Sequence, residues 1–154
     1  MKENLAGALL VEHAAERISH RIHPETAFYD IVDLMVSESI EALPVVGDAG
    51  EVLGVIGSDD VLERVLRDGD IEPLELPGKE LSAGDVMTRS VLCVSEGQPL
   101  IEVALMMVHK KMKLLPVVRD GVLSGILSRG KVLRTLYRGP PKTKTHQIEE
   151  ETAP

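Results

Sequence analysis

The chain has no tryptophan, one phenylalanine, two tyrosines and one cysteine in 154 residues. Each scarcity excludes something. With so few aromatic rings there is no platform on which to stack the bases of a single strand, and the core must be built from Val, Leu, Ile and Met. A lone Cys93 forms no internal disulfide and no metal pattern accompanies it, so the expected compartment is the reducing cytoplasm. Long apolar runs are missing too. Leu5 to Val11 is broken at once by Glu12 and His13, far short of the roughly 20 residues that span a bilayer, and it lacks the basic flank and cleavage site of an export signal. There is no excess of positive charge either: the formal net charge is −8, and an acidic chain repels phosphate backbones and anionic headgroups. Neither nucleic acid nor membrane is an expected partner. The one basic cluster, His109-Lys110-Lys111-Met112-Lys113, is short, has no aromatics, and reads as a solvated helix end.

What the chain does have is one pattern written twice. Setting Ile22 against Val94 aligns HPETAFYDIVDLMVSESIEALPVV with SEGQPLIEVALMMVHKKMKLLPVV, and after a shorter turn LGVIGSDDVLERVLR aligns with SGILSRGKVLRTLYR. Each unit alone is too small to bury a sufficient core, so the two are expected to pack face to face. The expected division is a lead-in helix over 1–18, a first unit over 19–68, a linker over 69–82, a second unit over 83–139 and a polar tail over 140–154. Within each unit a short strand (Ser19 to His23; Val91 to Ser95) leads to a helix (Tyr29 to Ser39; Ile101 to Lys111), capped by Thr26 in the first copy and opened by Pro99 in the second. Ile31, Leu34 and Met35, and likewise Val103, Met106 and Met107, fall on one helical stripe. A hairpin follows, turning at Asp48-Ala49-Gly50 or Asp120-Gly121. The return strands, Val52 to Ile56 and Val122 to Leu127, read as covered on both faces, and a closing helix begins near Gly57-Ser58 or Ser128. The fold class is α/β (α+β), with pseudo-twofold symmetry.

The closing turn carries the polar residues of interest. In the first copy it reads Gly54-Val55-Ile56-Gly57-Ser58-Asp59-Asp60 and in the second Gly125-Ile126-Leu127-Ser128-Arg129-Gly130-Lys131. A hydroxyl followed by an acid at this spacing is a capping box, and Lys131 reverses the favourable charge at a cost of roughly 0.3–1 kcal/mol unless an anion compensates it. Two readings of Lys131 stand, a solvated helix end or an anion contact made with Ser128, Arg129 and the free N–H groups of the helix start. Asp60 either only caps its helix or also accepts hydrogen bonds from a ribose diol. His13, His20 and His23 do not converge on a metal, because residues at the spacing of His20 and His23 point to opposite faces of a strand. Cys93 reads as a small buried hydrophobe. No nucleophile elbow, Walker loop or carboxylate pair is present, so an enzyme is not expected.

Two strand-helix-strand-strand-helix units, with Asp85-Val86-Met87-Thr88 opening the second, Leu-Pro-Val-Val in both and the closing turn just quoted, resemble the tandem CBS domain pair, or Bateman module. The resemblance implies two clefts between the units, a regulatory role, and homodimerisation through the helices. It further implies an adenine nucleotide (AMP, ADP or ATP) as regulatory ligand, with no required cofactor, and an unidentified regulated protein. In the family the closing hydroxyl lies near phosphate and the acid takes the ribose; here Gly57, Ser58 and Asp60 hold those positions in one copy and Ser128, Arg129 and Lys131 in the other. The first strands supply Arg21, Ile22 and His23, and Val94 beside Cys93, as further walls, with Val45 of the Leu-Pro-Val-Val run. The favoured arrangement puts the ribose at Asp60 and the phosphate on basic groups across the pseudo-twofold.

Overall fold

The computed structural model describes residues 8–67, 81–89 and 91–140. In chain order the elements are α1 (Val11–Ala14), α2 (Phe28–Glu38), β1 (Ala42–Val46), β2 (Val52–Gly57), α3 (Ser58–Arg67), α4 (Ala83–Val86), β3 (Val94–Ser95), α5 (Leu100–His109), β4 (Leu114–Arg119), β5 (Val122–Ser128) and α6 (Arg129–Arg138). The expected mixture of helix and sheet in two equivalent units is what forms. β1 and β2 pair antiparallel, as do β4 and β5, while β3 runs parallel to β4. Both hairpins carry a register shift at the same place, Val45/Val46 and Val117/Val118. Asp120 and Gly121 both adopt positive φ, 51° and 79°, the conformation of the two-residue turn that Asp-Gly favours. The expected linker and tail lie outside the described residues except at 81–82 and at 140.

The opening strands are shorter than the apolar pattern suggests. In the first unit the expected strand Ser19 to His23 reduces to one parallel bridge, Ile22 to Val45, held by Ile22 N–H to Pro44 C=O at 3.1 Å and Val46 N–H to Ile22 C=O at 2.8 Å. The next donor in a parallel ladder would be Pro24, which has no N–H. Glu96 holds the equivalent position in the second unit, and there the ladder continues to Ser95 and Val118.

Thr26 does not cap α2, contrary to expectation. Its Oγ1 accepts the His23 N–H at 3.1 Å, and Ala27 precedes the helix with no side-chain cap. The first N–H of α2, that of Phe28, instead reaches Leu81 C=O at 2.9 Å, just as Leu100 N–H at the start of α5 reaches Leu9 C=O at 2.9 Å. Pro99 sits one position before α5 rather than in its first turn. Along both helices the anticipated stripe faces inward: Ile31, Met35, Val103 and Met107 are buried, with Leu34 and Met106 packed at the edge.

Those two caps reveal an exchange of lead-in segments. The core of the first unit gathers Phe28, Ile31, Leu43 and Ile56 around Ala83 and Met87, which come from the approach to the second unit. The core of the second gathers Leu100, Val103, Leu115 and Leu127 around Leu9, Val11 and Ala14. Among the described residues the lead-in is not one continuous helix. Within 8–18 only Val11–Ala14 has a named helix, Ala15 turns to extended backbone, and Glu16 pairs with Ile126 on the edge of β5. Thr88 pairs with Val55 on β2 in the same way. The glycines of the closing turns make room for this crossing: a Cβ on Gly125 would lie 2.9 Å from Glu16 C=O, and one on Gly54 would lie 2.8 Å from Thr88 C=O. Contrary to expectation, the return strands are buried on one face and only partly covered on the other, with Leu53, Val122 and Ser124 exposed.

Candidate ligand-binding site

Between the units lies a cleft of about 210 Å³. Its first-unit wall is Ser19, His20 and the run from Ile40 to Leu43, its second-unit wall Leu114 and Ile126, and Glu16 with Arg17 close one end. The His20 Nδ1 atom is buried and has no hydrogen-bond partner. A polar atom in that condition costs about 1–3 kcal/mol. His20 was not among the residues expected to bind; the signal was its place immediately before Arg21 and Ile22 in the opening strand.

The closing turns sit beside this seam. Ser58 is held to Glu41 twice, N–H to C=O at 2.8 Å and Oγ to Oε2 at 2.9 Å, which fixes the start of α3 against the cleft wall. Asp60 Oδ2 accepts the Gly57 N–H at 2.8 Å. In the second copy Ser128 Oγ accepts the Lys131 N–H at 3.3 Å, and Arg129 Nε donates to Met112 C=O at 2.8 Å. A full capping box needs both the hydroxyl and the acid; each copy keeps the half its sequence allows. Asp60 retains a second carboxylate oxygen, so capping its own helix does not exhaust its capacity to accept. Lys113 Nζ meets Asp59 Oδ2 at 3.8 Å across the units, an exposed pair worth little to stability.

Of the two readings of Lys131, neither a bare solvated end nor a bound anion describes it: a carboxylate of the protein meets it. Lys131 Nζ lies 3.3 Å from Glu16 Oε1, with both side chains only about half exposed. The two line a second hollow of about 310 Å³ together with His13, Arg134 and Arg138. Its pseudo-twofold counterpart, about 150 Å³, is lined by Asp60, Glu63, Arg64 and Asp85. Lys131 answers Asp60, Arg134 answers Glu63 and His13 answers Asp85, so equivalent positions carry opposite or different charge. Asp60 and Lys131 thus line separate hollows. Hydrogen bonds from Ser82 N–H and Oγ, each 3.0 Å, hold the Asp85 carboxyl below the usual carboxylate range.

Of the other expected contact residues, Ile22, Val45 and Val94 are buried in the cores, whereas Arg21 and His23 are exposed beside Ile22. Cys93 is half-buried, its thiol pushed up by burial. Among the described residues no group of His, Cys, Asp and Glu is arranged to hold a metal ion, and no helix is long and apolar enough to cross a membrane.

A family model described as CBS domain matches residues 11–67 and 83–138. The chain is 31% identical over 136 residues to the CBS domain-containing protein CBSX2, chloroplastic, of Arabidopsis thaliana, covering 75% of this chain and 57% of that one. It therefore spans little more than half the length of that curated relative. The crystal structure of CBSX2 in complex with AMP superposes with a TM-score of 0.71 at 29% identity, covering 92% of this chain and 99% of that one. The CBS domain pair of protein MJ0100, solved in complex with 5′-methylthioadenosine and S-adenosyl-L-methionine, superposes with a TM-score of 0.70 at 22% identity over 84% and 96% of the two chains, which establishes likeness of fold. Each matched segment coincides with one strand-helix-hairpin-helix unit and its lead-in, and together they span most of the sequence; the chain belongs to the CBS domain family, as a tandem pair.

Proposed function

We propose that this CBS pair is a regulatory module that senses an adenine nucleotide, holding an AMP-like ligand in the cleft between its units. It is read as a non-enzymatic protein of the cytoplasm that needs no cofactor. The carrying observation is a cleft of about 210 Å³ walled by both units, with His20 in its lining. The AMP bound to CBSX2 supports the class of ligand. Signalling requires only that the ligand bind one arrangement of the units better than another, and a ligand touching both Leu43 and Leu114 does so by bridging them. Calorimetric titration with AMP, ATP, S-adenosylmethionine and NADH tests the reading: AMP or ATP should bind, and silence from all four at millimolar concentration contradicts it.

The helical faces support a homodimer. Val36 and Val108, at equivalent positions, are each 74% exposed. Tyr29 and Ile101, Leu62 and Leu133, and Leu66 and Tyr137 form further equivalent exposed pairs. An apolar groove of about 460 Å³ between α5 and α6 runs into this face. A patch repeated by the internal pseudo-twofold suits the self-complementary surface of a twofold dimer. A second reading, a ligand-free assembly module regulating an unidentified protein, is favoured by the use of Asp60 and Ser128 in capping their own helices. The same titration separates the two.

A further inference from the structure

We propose that the basic hollow along α6 receives the outer phosphoryl groups of a nucleotide whose base and ribose lie in the adjoining cleft, so that the site favours a di- or triphosphate over a monophosphate. This rests on the nucleotide reading above and adds which nucleotide. The cleft and the hollow share Glu16 as a lining residue. The cleft alone, about 210 Å³, falls below the roughly 300–1,000 Å³ typical of small-molecule sites, whereas the hollow, about 310 Å³, reaches that range.

The charge in the hollow is an excess of cations. Lys131, Arg134 and Arg138 face a single lining carboxylate, Glu16, which Lys131 already engages at 3.3 Å. Neither arginine has an ion-pair partner among the described residues. His13 adds a donor: its Nδ1 accepts the Leu10 N–H at 2.9 Å, which leaves the neutral ring's proton on Nε2. The framework does not demand these cations, because the equivalent hollow is built from Asp60, Glu63 and Asp85 around Arg64. Lys131, Arg134 and Arg138 follow one another along about 10 Å of a single helix face, a length that a run of phosphoryl groups follows and a lone phosphate does not. Arginine's planar fork of donors suits phosphoryl oxygens.

The experiment titrates AMP, ADP and ATP separately into the wild-type chain, the Arg134→Glu/Arg138→Glu variant and the Arg134→Lys/Arg138→Lys variant. Both positions are exposed, and circular dichroism checks that each variant folds. ATP should bind wild type roughly tenfold tighter than AMP, the equivalent of one added charge-assisted contact. The Glu variant should lose that preference while keeping its AMP affinity, and the Lys variant should keep part of it. Equal affinities in wild type, or a preference untouched in the Glu variant, overturn this inference and leave the nucleotide reading standing. Absence of binding by all three nucleotides overturns the nucleotide reading itself.

Discussion

Replacing His20 by leucine should move stability and binding in opposite directions. The buried Nδ1 has no partner, and an unsatisfied buried polar atom costs about 1–3 kcal/mol. An apolar side chain of similar reach removes that penalty, so the ligand-free His20→Leu chain should be more stable by up to that amount. For a chain of this length each kcal/mol raises the melting temperature by roughly 2–4 °C. The nucleotide, by contrast, loses a hydrogen bond to the imidazole that lines the cleft, worth about 0.5–1.5 kcal/mol, a drop in affinity of about two- to tenfold. Thermal denaturation with and without saturating AMP reads both effects, since a ligand present at about a hundred times its Kd stabilises by about 2.7 kcal/mol. A variant that melts below wild type while keeping the full AMP-induced shift would mean that Nδ1 is satisfied and that the imidazole takes no part in binding.

Met87 belongs by sequence to the opening of the second unit yet is buried in the core of the first. Met87→Ala should cost about 2–5 kcal/mol and lower hydrogen-exchange protection in β1 and β2 before β4 and β5; uniform loss across both sheets would contradict the exchange of lead-ins. Asp85, held below its ordinary value of 3.8 by Ser82, contributes stability that is present above the unfolded-state value and lost as the pH falls through the lower folded value. Asp85→Asn should therefore flatten that acid limb in melting curves and leave no pH-dependent difference near neutrality. Leu133→Glu, on the exposed face of α6, should shift the sedimentation coefficient from dimer to monomer without changing the circular dichroism spectrum.

The repeat carried most of the architecture in plain view, because helical and strand periods repeat over matching stretches and Asp120-Gly121 fixes a turn locally. Element ends were less legible. Thr26 has the chemistry of a cap, but Leu81 supplies the bond to α2 from a distant part of the chain, and no local pattern announces that. The shortness of the first strand was readable in principle, from the missing donor of Pro24. The crossing of Leu9, Val11 and Ala14 into the second core was not, since amphipathic spacing says that a face is buried and never against what. At the site, the two halves of the capping box followed from the identities of Asp60 and Ser128. The pairing of Lys131 with Glu16 did not, because it depends on the lead-in lying along β5, and with it the basic hollow stayed hidden.

If the seam between the units holds an adenine nucleotide, backbone amides followed by NMR as AMP is added should report it at the cleft walls. Saturable shifts are expected at Ser19, His20 and the Ile40–Leu43 segment, with Leu114 and Ile126 responding across the seam. No shift at any of these amides, or shifts confined to the outer faces of α5 and α6, would contradict it.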